Sequence, residues 1–353
     1  MIPSSKSRRV AGSASRVRRR VFAFAAALVG LCVATAGAEV VLRLIGRGPA
    51  RLIRETGRPV LHEPDPVLGW RNRPGEYFNP PYSEVGSTTR FTINSDGSRV
   101  TRAEGGAPDR PVVLTVGCSY TQGWAISDDE TFAWKLQAQH PQLDVRNFGT
   151  AGHSTYQALL RLEGLYAQGL RPKVVIYGFI EDHETRNVAP WTWLRRLAAY
   201  SNRGHVDVPY CTIDAHGALA RHAAERYHMF PLRESLAIVP LFEQTYMQFL
   251  THGRAAQGRA VTEQLLEALD ALTRSHGTRL LVAMLAARAD AGAHYTTFLK
   301  DRGIAAVDCA FEAGPDMRVK GDGHPNGVMN TRFASCIDTA LRTITAPFEL
   351  PPA

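Results

Sequence analysis

A serine and a histidine stand far apart in the chain, each in a context that suits acyl chemistry. Ser119 lies in Gly117-Cys118-Ser119-Tyr120-Thr121-Gln122-Gly123, directly after the apolar run Val112-Val113-Leu114-Thr115-Val116. A serine leaving a buried strand has its hydroxyl lifted to the sheet edge, where backbone N–H groups can receive an oxyanion. Such a hydroxyl needs a base. The candidate is His324, in Gly321-Asp322-Gly323-His324-Pro325-Asn326. Asp322 is near enough to orient the imidazole and fix its tautomer, leaving the other ring nitrogen for Ser119.

For these residues to meet, the elements between them must return to one edge. From residue 111 onward, short β-branched runs alternate with amphipathic stretches. The runs predict strands at 112–116, 143–148, 173–179, 279–285 and 304–309, with helices at 130–139, 155–168, 261–276 and 328–343. Strands separated by helices imply an α/β fold: three layers, α/β/α, around a five-stranded parallel doubly wound sheet of flavodoxin-like type. Ser119 then follows the first strand and His324 the last, and ligands in such sheets bind beyond the strand C-termini. Residues 183–260 interrupt the alternation and read as a mostly helical insertion able to cap that edge. Trp191 and Trp193 read as its core, with a ligand-facing aromatic pair as the alternative, and Arg195 and Arg196 as solvated. Residues 46–110 are rich in Pro, Gly, Asn and Arg, and read as an extended lead-in with a short hairpin, one strand of it at 89–94.

Three blocks resemble those of the SGNH/GDSL hydrolase family: Gly117-Cys118-Ser119-Tyr120-Thr121, then Asn147-Phe148-Gly149-Thr150-Ala151-Gly152-His153-Ser154, then Asp322-Gly323-His324-Pro325. The resemblance covers about residues 111–345. The leader and the Pro64-Asp65-Pro66 and Leu68-Gly69-Trp70 segment are similar to membrane-anchored bacterial members. The resemblance implies Ser119 as nucleophile, His324 as base and Asp322 as its orienting carboxylate. It implies an oxyanion hole from the N–H groups of Ser119 and Gly152, with Gly149 as the fallback. The family's aspartate before the serine is Cys118 here, and Asp322 precedes His324 by two positions instead of three. After strand three the family has Gly-x-Asn-Asp, whereas this chain has Gly178-Phe179-Ile180-Glu181-Asp182. An ionised Glu181 cannot donate to an oxyanion, so His183 or Asn187 is expected in that role. Losing one oxyanion donor typically costs about 10²–10³ in rate.

Composition bounds the rest. The 353 residues are 44% hydrophobic and 21% charged, which suits a globular chain. The formal charge is +8, but seven of the 41 basic residues fall in positions 1–20, where there is no acid. The remainder, 34 basic against 33 acidic, gives no surface for nucleic acid. There is no glycine-rich nucleotide motif and no short-spaced metal-ligand pair, so neither cofactor nor metal is expected. His153, His183, His324 and Asp182 form the metal cluster that is imaginable at this edge. The uncharged stretch 21–38 follows the basic leader and spans about 27 Å as a helix, near the thickness of the hydrocarbon core. Continuing apolar residues to Ile45 favour an uncleaved signal anchor at 21–45 over cleavage after Ala36-Gly37-Ala38. Either way the globular part is extracytoplasmic; as an anchor the segment holds it on the inner membrane, single-pass, with the leader cytoplasmic and the catalytic domain periplasmic. There is no CxxC among the five cysteines. Cys309 with Cys336 is the first disulfide pair to consider, with free thiols the alternative.

Two functions from different classes follow. One is a serine esterase acting on a small-molecule or glycan ester, such as O-acyl groups of a cell-envelope glycan, with O-acyl transfer to a sugar as its near variant. The other is a non-catalytic glycan- or partner-binding protein on the same fold.

Overall fold

The computed structural model describes residues 8–54, 56–103, 109–200 and 206–345. Lys6 of the basic leader lies outside the described residues, as do short pieces of the lead-in and of the insertion. The chain forms two compact units. One runs up to Leu52 and includes His228–Phe249; the other comprises Ile53–Tyr227 and the chain from Leu250 onward.

The first unit is built on helix α1 (Arg8–Leu44). Its stretch Arg16–Leu44 is long and apolar enough to cross a membrane, and the most apolar part of it is unburied. Near its end, Glu39 accepts the backbone N–H groups of Ala237 and Ile238, both at 2.9 Å.

The second unit carries the sheet. The lead-in forms two antiparallel hairpins instead of one: β1 (His62–Asp65) with β2 (Gly69–Asn72), and β3 (Gly75–Asn79) with β4 (Thr89–Ile93). Then come β5 (Val112–Gly117), α2 (Ser119–Gln122), α3 (Phe132–Gln139), β6 (Asp144–Asn147), α4 (Thr155–Ala167) and β7 (Val174–Ile180). The segment after β7 holds α5 (His183–Val188), α6 (Trp191–Ala198) and a hairpin of β8 (Val208–Ile213) with β9 (Leu219–Glu225). The insertion, expected to be mostly helical, thus also holds a hairpin; the turn Asp214-Ala215-His216-Gly217 closes it, with Gly217 at a positive φ. Helix α7 (Val239–Leu250) belongs to the first unit up to Phe249, and the second unit resumes with α8 (Gly258–Ser275), β10 (Arg279–Ala286), α9 (Ala289–Asp301), β11 (Ala306–Asp308) and α10 (Gly327–Thr345).

Strands β6, β5, β7, β10 and β11 lie side by side in that order, all parallel. In chain order this is 2-1-3-4-5, the flavodoxin-like arrangement expected. Central strand β7, Val174-Val175-Ile176-Tyr177-Gly178-Phe179-Ile180, is buried throughout, as a parallel strand covered on both faces must be. Alternation along β5 sends Leu114 and Val116 to one core with Leu159, Leu265 and Tyr295 of α4, α8 and α9. Val113 goes to the other core with Leu136 of α3 and Phe333 of α10. These are the three layers. Each fully buried Leu or Phe contributes about 1.5–3 kcal/mol relative to exposure. Cys309 and Cys336 are disulfide-bonded, tying the end of β11 to α10. Closing a loop of 27 residues contributes about 3–4 kcal/mol in the chain-entropy account.

Candidate active site

The switch point of a 2-1-3-4-5 sheet lies between its first and third strands, here β5 and β7. Ser119 emerges there. Gly117 ends β5 at φ +151°, and a Cβ on it would stand 2.3 Å from Thr121 Oγ1 and 2.7 Å from the Gly178 carbonyl oxygen. Only glycine lets the chain turn this closely past β7 and open α2 at Ser119.

The loop after Ser119 is held by buried polar groups from the lead-in. Arg99 is fully buried, and its guanidinium lies 3.9 Å from the Phe91 ring centroid. It donates to Asp128 Oδ1 at 2.8 Å and to the carbonyls of Gln122, Gly123 and Ile126 at 3.0, 2.5 and 2.8 Å. Gln122 donates to Asn72 Oδ1 at 2.8 Å and accepts the Ala151 N–H at 3.1 Å, joining the nucleophile loop to the loop after β6.

His324 arrives from the turn before α10. Val319 N–H donates to its carbonyl at 2.8 Å, and Asn326 Oδ1 caps α10 through the N–H groups of Val328 and Met329. His324 Nε2 is 3.0 Å from Ser119 Oγ, and Nδ1 is 2.6 Å from Asp322 Oδ1. The two-residue spacing has a physical use: the same Oδ1 also accepts the His324 backbone N–H at 3.1 Å. Trp124 Nε1 donates to the other oxygen, Oδ2, at 3.2 Å. Burial pushes the Asp322 carboxyl up, but the bonds from His324 and Trp124 outweigh it and hold the group below the ordinary carboxylate range. An ionised Asp322 requires N–H on Nδ1, so Nε2 is the acceptor for the serine proton.

Ser119 and Gly152 line one cleft of about 680 Å³. Among the described residues neither backbone N–H has a protein acceptor. Gly149 does not share this property: its N–H is taken by Asn147 Oδ1 at 2.9 Å, and a Cβ there would lie 2.4 Å from Gln122 N. It is a packing glycine.

The two side chains expected to complete the oxyanion hole are not in the cleft. His183 is fully buried, with Nδ1 2.6 Å from Tyr177 Oη. Asn187 is fully buried as well. Its amide donates to Thr155 Oγ1 and Thr262 Oγ1 at 3.0 and 2.8 Å, and its oxygen accepts the Tyr156 N–H at 3.1 Å. Both face the core because the chain turns into α5 directly after β7. Glu181 caps the far side, accepting the Arg288 N–H at 2.9 Å and pairing with the Arg288 guanidinium. The imagined metal cluster does not converge either: His153 is buried with Nε2 2.9 Å from the Trp70 carbonyl.

Several cleft residues carried no signal as site residues in the sequence: Trp70, Asn79, Trp124 and Arg186. Trp193, expected in the insertion's core, is nearly buried and also lines the cleft. Trp70 donates Nε1–H to the Ala151 carbonyl at 2.9 Å, which fixes the loop bearing Gly152. Asn79, at the end of β3, is the side-chain amide lining the cleft.

No protein-family model and no curated protein match the sequence. Solved structures similar to the chain include a member of the lipolytic protein G-D-S-L family from Veillonella parvula, at 11% identity. That match covers 68% of this chain and 99% of that one, with a TM-score of 0.35. The psychrotrophic esterase EstA from a Pseudoalteromonas species matches at 12% identity over 66% of this chain and 97% of its own, with a TM-score of 0.37. A GDSL-like lipase from Bacteroides thetaiotaomicron matches at 14% identity over 69% and 94%, with a TM-score of 0.37.

Proposed function

We propose that this chain is a serine esterase of SGNH/GDSL type, tethered to the inner membrane with its catalytic unit on the periplasmic side. The observation that carries the reading is the line of contacts Ser119 Oγ, His324 Nε2, His324 Nδ1, Asp322 Oδ1, at 3.0 and 2.6 Å, in the lining of a cleft. His324 takes the Ser119 proton as Oγ bonds to the ester carbonyl carbon. The N–H groups of Ser119 and Gly152 receive the oxyanion, and Asn79 is the candidate third donor. The intermediate collapses, the C–O bond to the alcohol breaks, and His324 returns its proton to the leaving oxygen. Water then repeats the sequence on the acyl-enzyme and releases the acid.

The cleft is large enough for a sugar-sized alcohol, which supports O-acyl groups of a cell-envelope glycan as substrate. The basic leader before α1 supports a cytoplasmic N-terminus. Exposed Phe242, Tyr246 and Phe249 on α7 suit a membrane-proximal unit. The Cys309–Cys336 disulfide suits an oxidising compartment. The test is hydrolysis of p-nitrophenyl acetate by the full chain in detergent: turnover that is lost in Ser119→Ala supports the reading, and equal turnover in that variant contradicts it.

A further inference from the structure

Three arginines line the cleft that holds Ser119: Arg58, Arg186 and Arg196. Among the described residues none of them has a carboxylate partner. The two carboxylates of the cleft are already engaged, Glu63 by Arg71 at 2.7 Å and Asp322 by His324. Against the three arginines the cleft then has only the carboxylate of Asp322 outside an ion pair with arginine, so it presents net positive charge.

Arg186, on α5, is the most telling of the three. It is only 9% exposed. One terminal nitrogen donates to the His153 carbonyl at 3.2 Å, and the guanidinium lies 5.0 Å from the Trp193 ring centroid. Its Nε is buried with no hydrogen-bond partner. A buried guanidinium with a donor left over costs stability unless an anion completes it. Arg58 is fixed beforehand: it lies 3.7 Å over the Tyr82 ring and donates to the carbonyls of Pro80 and Pro81 at 2.9 and 3.0 Å. Arg196, on α6, is exposed and free to reach a ligand. None of these residues belongs to the sheet or to the reacting groups. They stand on the lead-in and on the helices after β7, where specificity can vary without disturbing the nucleophile.

We infer that the cleft takes an O-acylated glycan whose sugar units carry carboxylates, with Arg186 and Arg196 binding a carboxylate beside the acylated sugar. A planar guanidinium matches a carboxylate through paired N–H donors, and Trp70 and Trp193 line the same cleft. The inference rests on the esterase reading for the acyl group, but not for the carboxylate.

Binding and turnover separate the two. The full chain carrying Ser119→Ala, in detergent, is titrated by calorimetry with unesterified oligogalacturonate and with cello-oligosaccharide of the same length. The expected result is binding of the acidic oligomer about tenfold tighter at low salt. That preference shrinks as salt is raised. Arg196→Gln, on an exposed helix face, and Arg186→Gln each reduce the preference about fivefold or more. Equal affinity for the two oligomers, or variants that weaken both alike, overturns the inference. In the wild-type chain the matching readout is acetyl release from acetylated polygalacturonate against acetylated cello-oligosaccharide, with the arginine variants acting mainly on KM. Hydrolysis of p-nitrophenyl acetate without any acidic preference defeats the inference and spares the esterase; acidic binding without hydrolysis of any ester does the reverse.

Discussion

The indole N–H of Trp124 lies 3.2 Å from Asp322 Oδ2, so the loop that leaves the nucleophile also holds the carboxylate that orients its base. The two ends of the catalytic segment are thereby locked to each other by something besides the Ser119–His324 contact. Oδ1 is committed to His324 twice, through Nδ1 and through the backbone N–H. Without Trp124, Oδ2 loses its indole donor and the carboxylate is held through Oδ1 alone.

Trp124→Phe keeps the ring and deletes the donor. A hydrogen bond to a charged acceptor is worth about 1.5–3 kcal/mol, so kcat on a small ester is expected to fall roughly tenfold or more. Steady-state kinetics check this, and an unchanged kcat would show that the indole bond does not position the base.

Arg99 binds the carbonyls of Gln122, Gly123 and Ile126 while paired to Asp128. Burial alone pulls its guanidinium below the usual arginine range, against the pull of Asp128. Removing one partner strands the other charge. Arg99→Ala is therefore expected to lose about 3–5 kcal/mol in urea unfolding, with slower labelling of Ser119 in the fraction that folds. A loss under about 1 kcal/mol would contradict the stapling role.

Acid should unfold the protein through two histidines that do no chemistry. Burial first, then Arg161 for His153 and Arg186 for His183, hold both imidazoles well below the usual histidine range. The unfolded chain protonates them near pH ~6.5, while the folded chain does not. Their contribution is fully present above that pH and is lost as pH falls below it. The melting temperature is expected to drop progressively from about pH 6.5 to 5, with a shallower drop in His183→Gln. A flat profile over that window would argue against buried neutral histidines.

Much of the architecture was legible because parallel strands buried on both faces read as unbroken apolar runs. Val112-Val113-Leu114-Thr115-Val116 and Val174-Val175-Ile176-Tyr177 could be little else, and a strand count of five fixed where Ser119 and His324 would emerge. The hairpin of β8 and β9 was obscured by Leu219-Ala220-Arg221-His222-Ala223-Ala224-Glu225, whose alanines favour helix; pairing across a turn overrode propensity. His183 and Asn187 were misplaced for a different reason. Their distance from β7 is right for a site residue, but one helical turn decides whether a side chain meets ligand or core, and Thr155 and Thr262 claim Asn187 for the core. Trp70, Asn79 and Arg99 lie in a lead-in with no periodicity, so only tertiary contact reveals what they hold.

In the proposed reaction everything depends on the activation of Ser119 by His324. Labelling the full chain with a fluorophosphonate and locating the adduct by mass spectrometry tests it most directly. A single adduct on Ser119 is expected, absent in Ser119→Ala and slowed at least about 10²-fold in His324→Ala. A folded chain that takes no label, or one that is labelled as fast without His324, would contradict it.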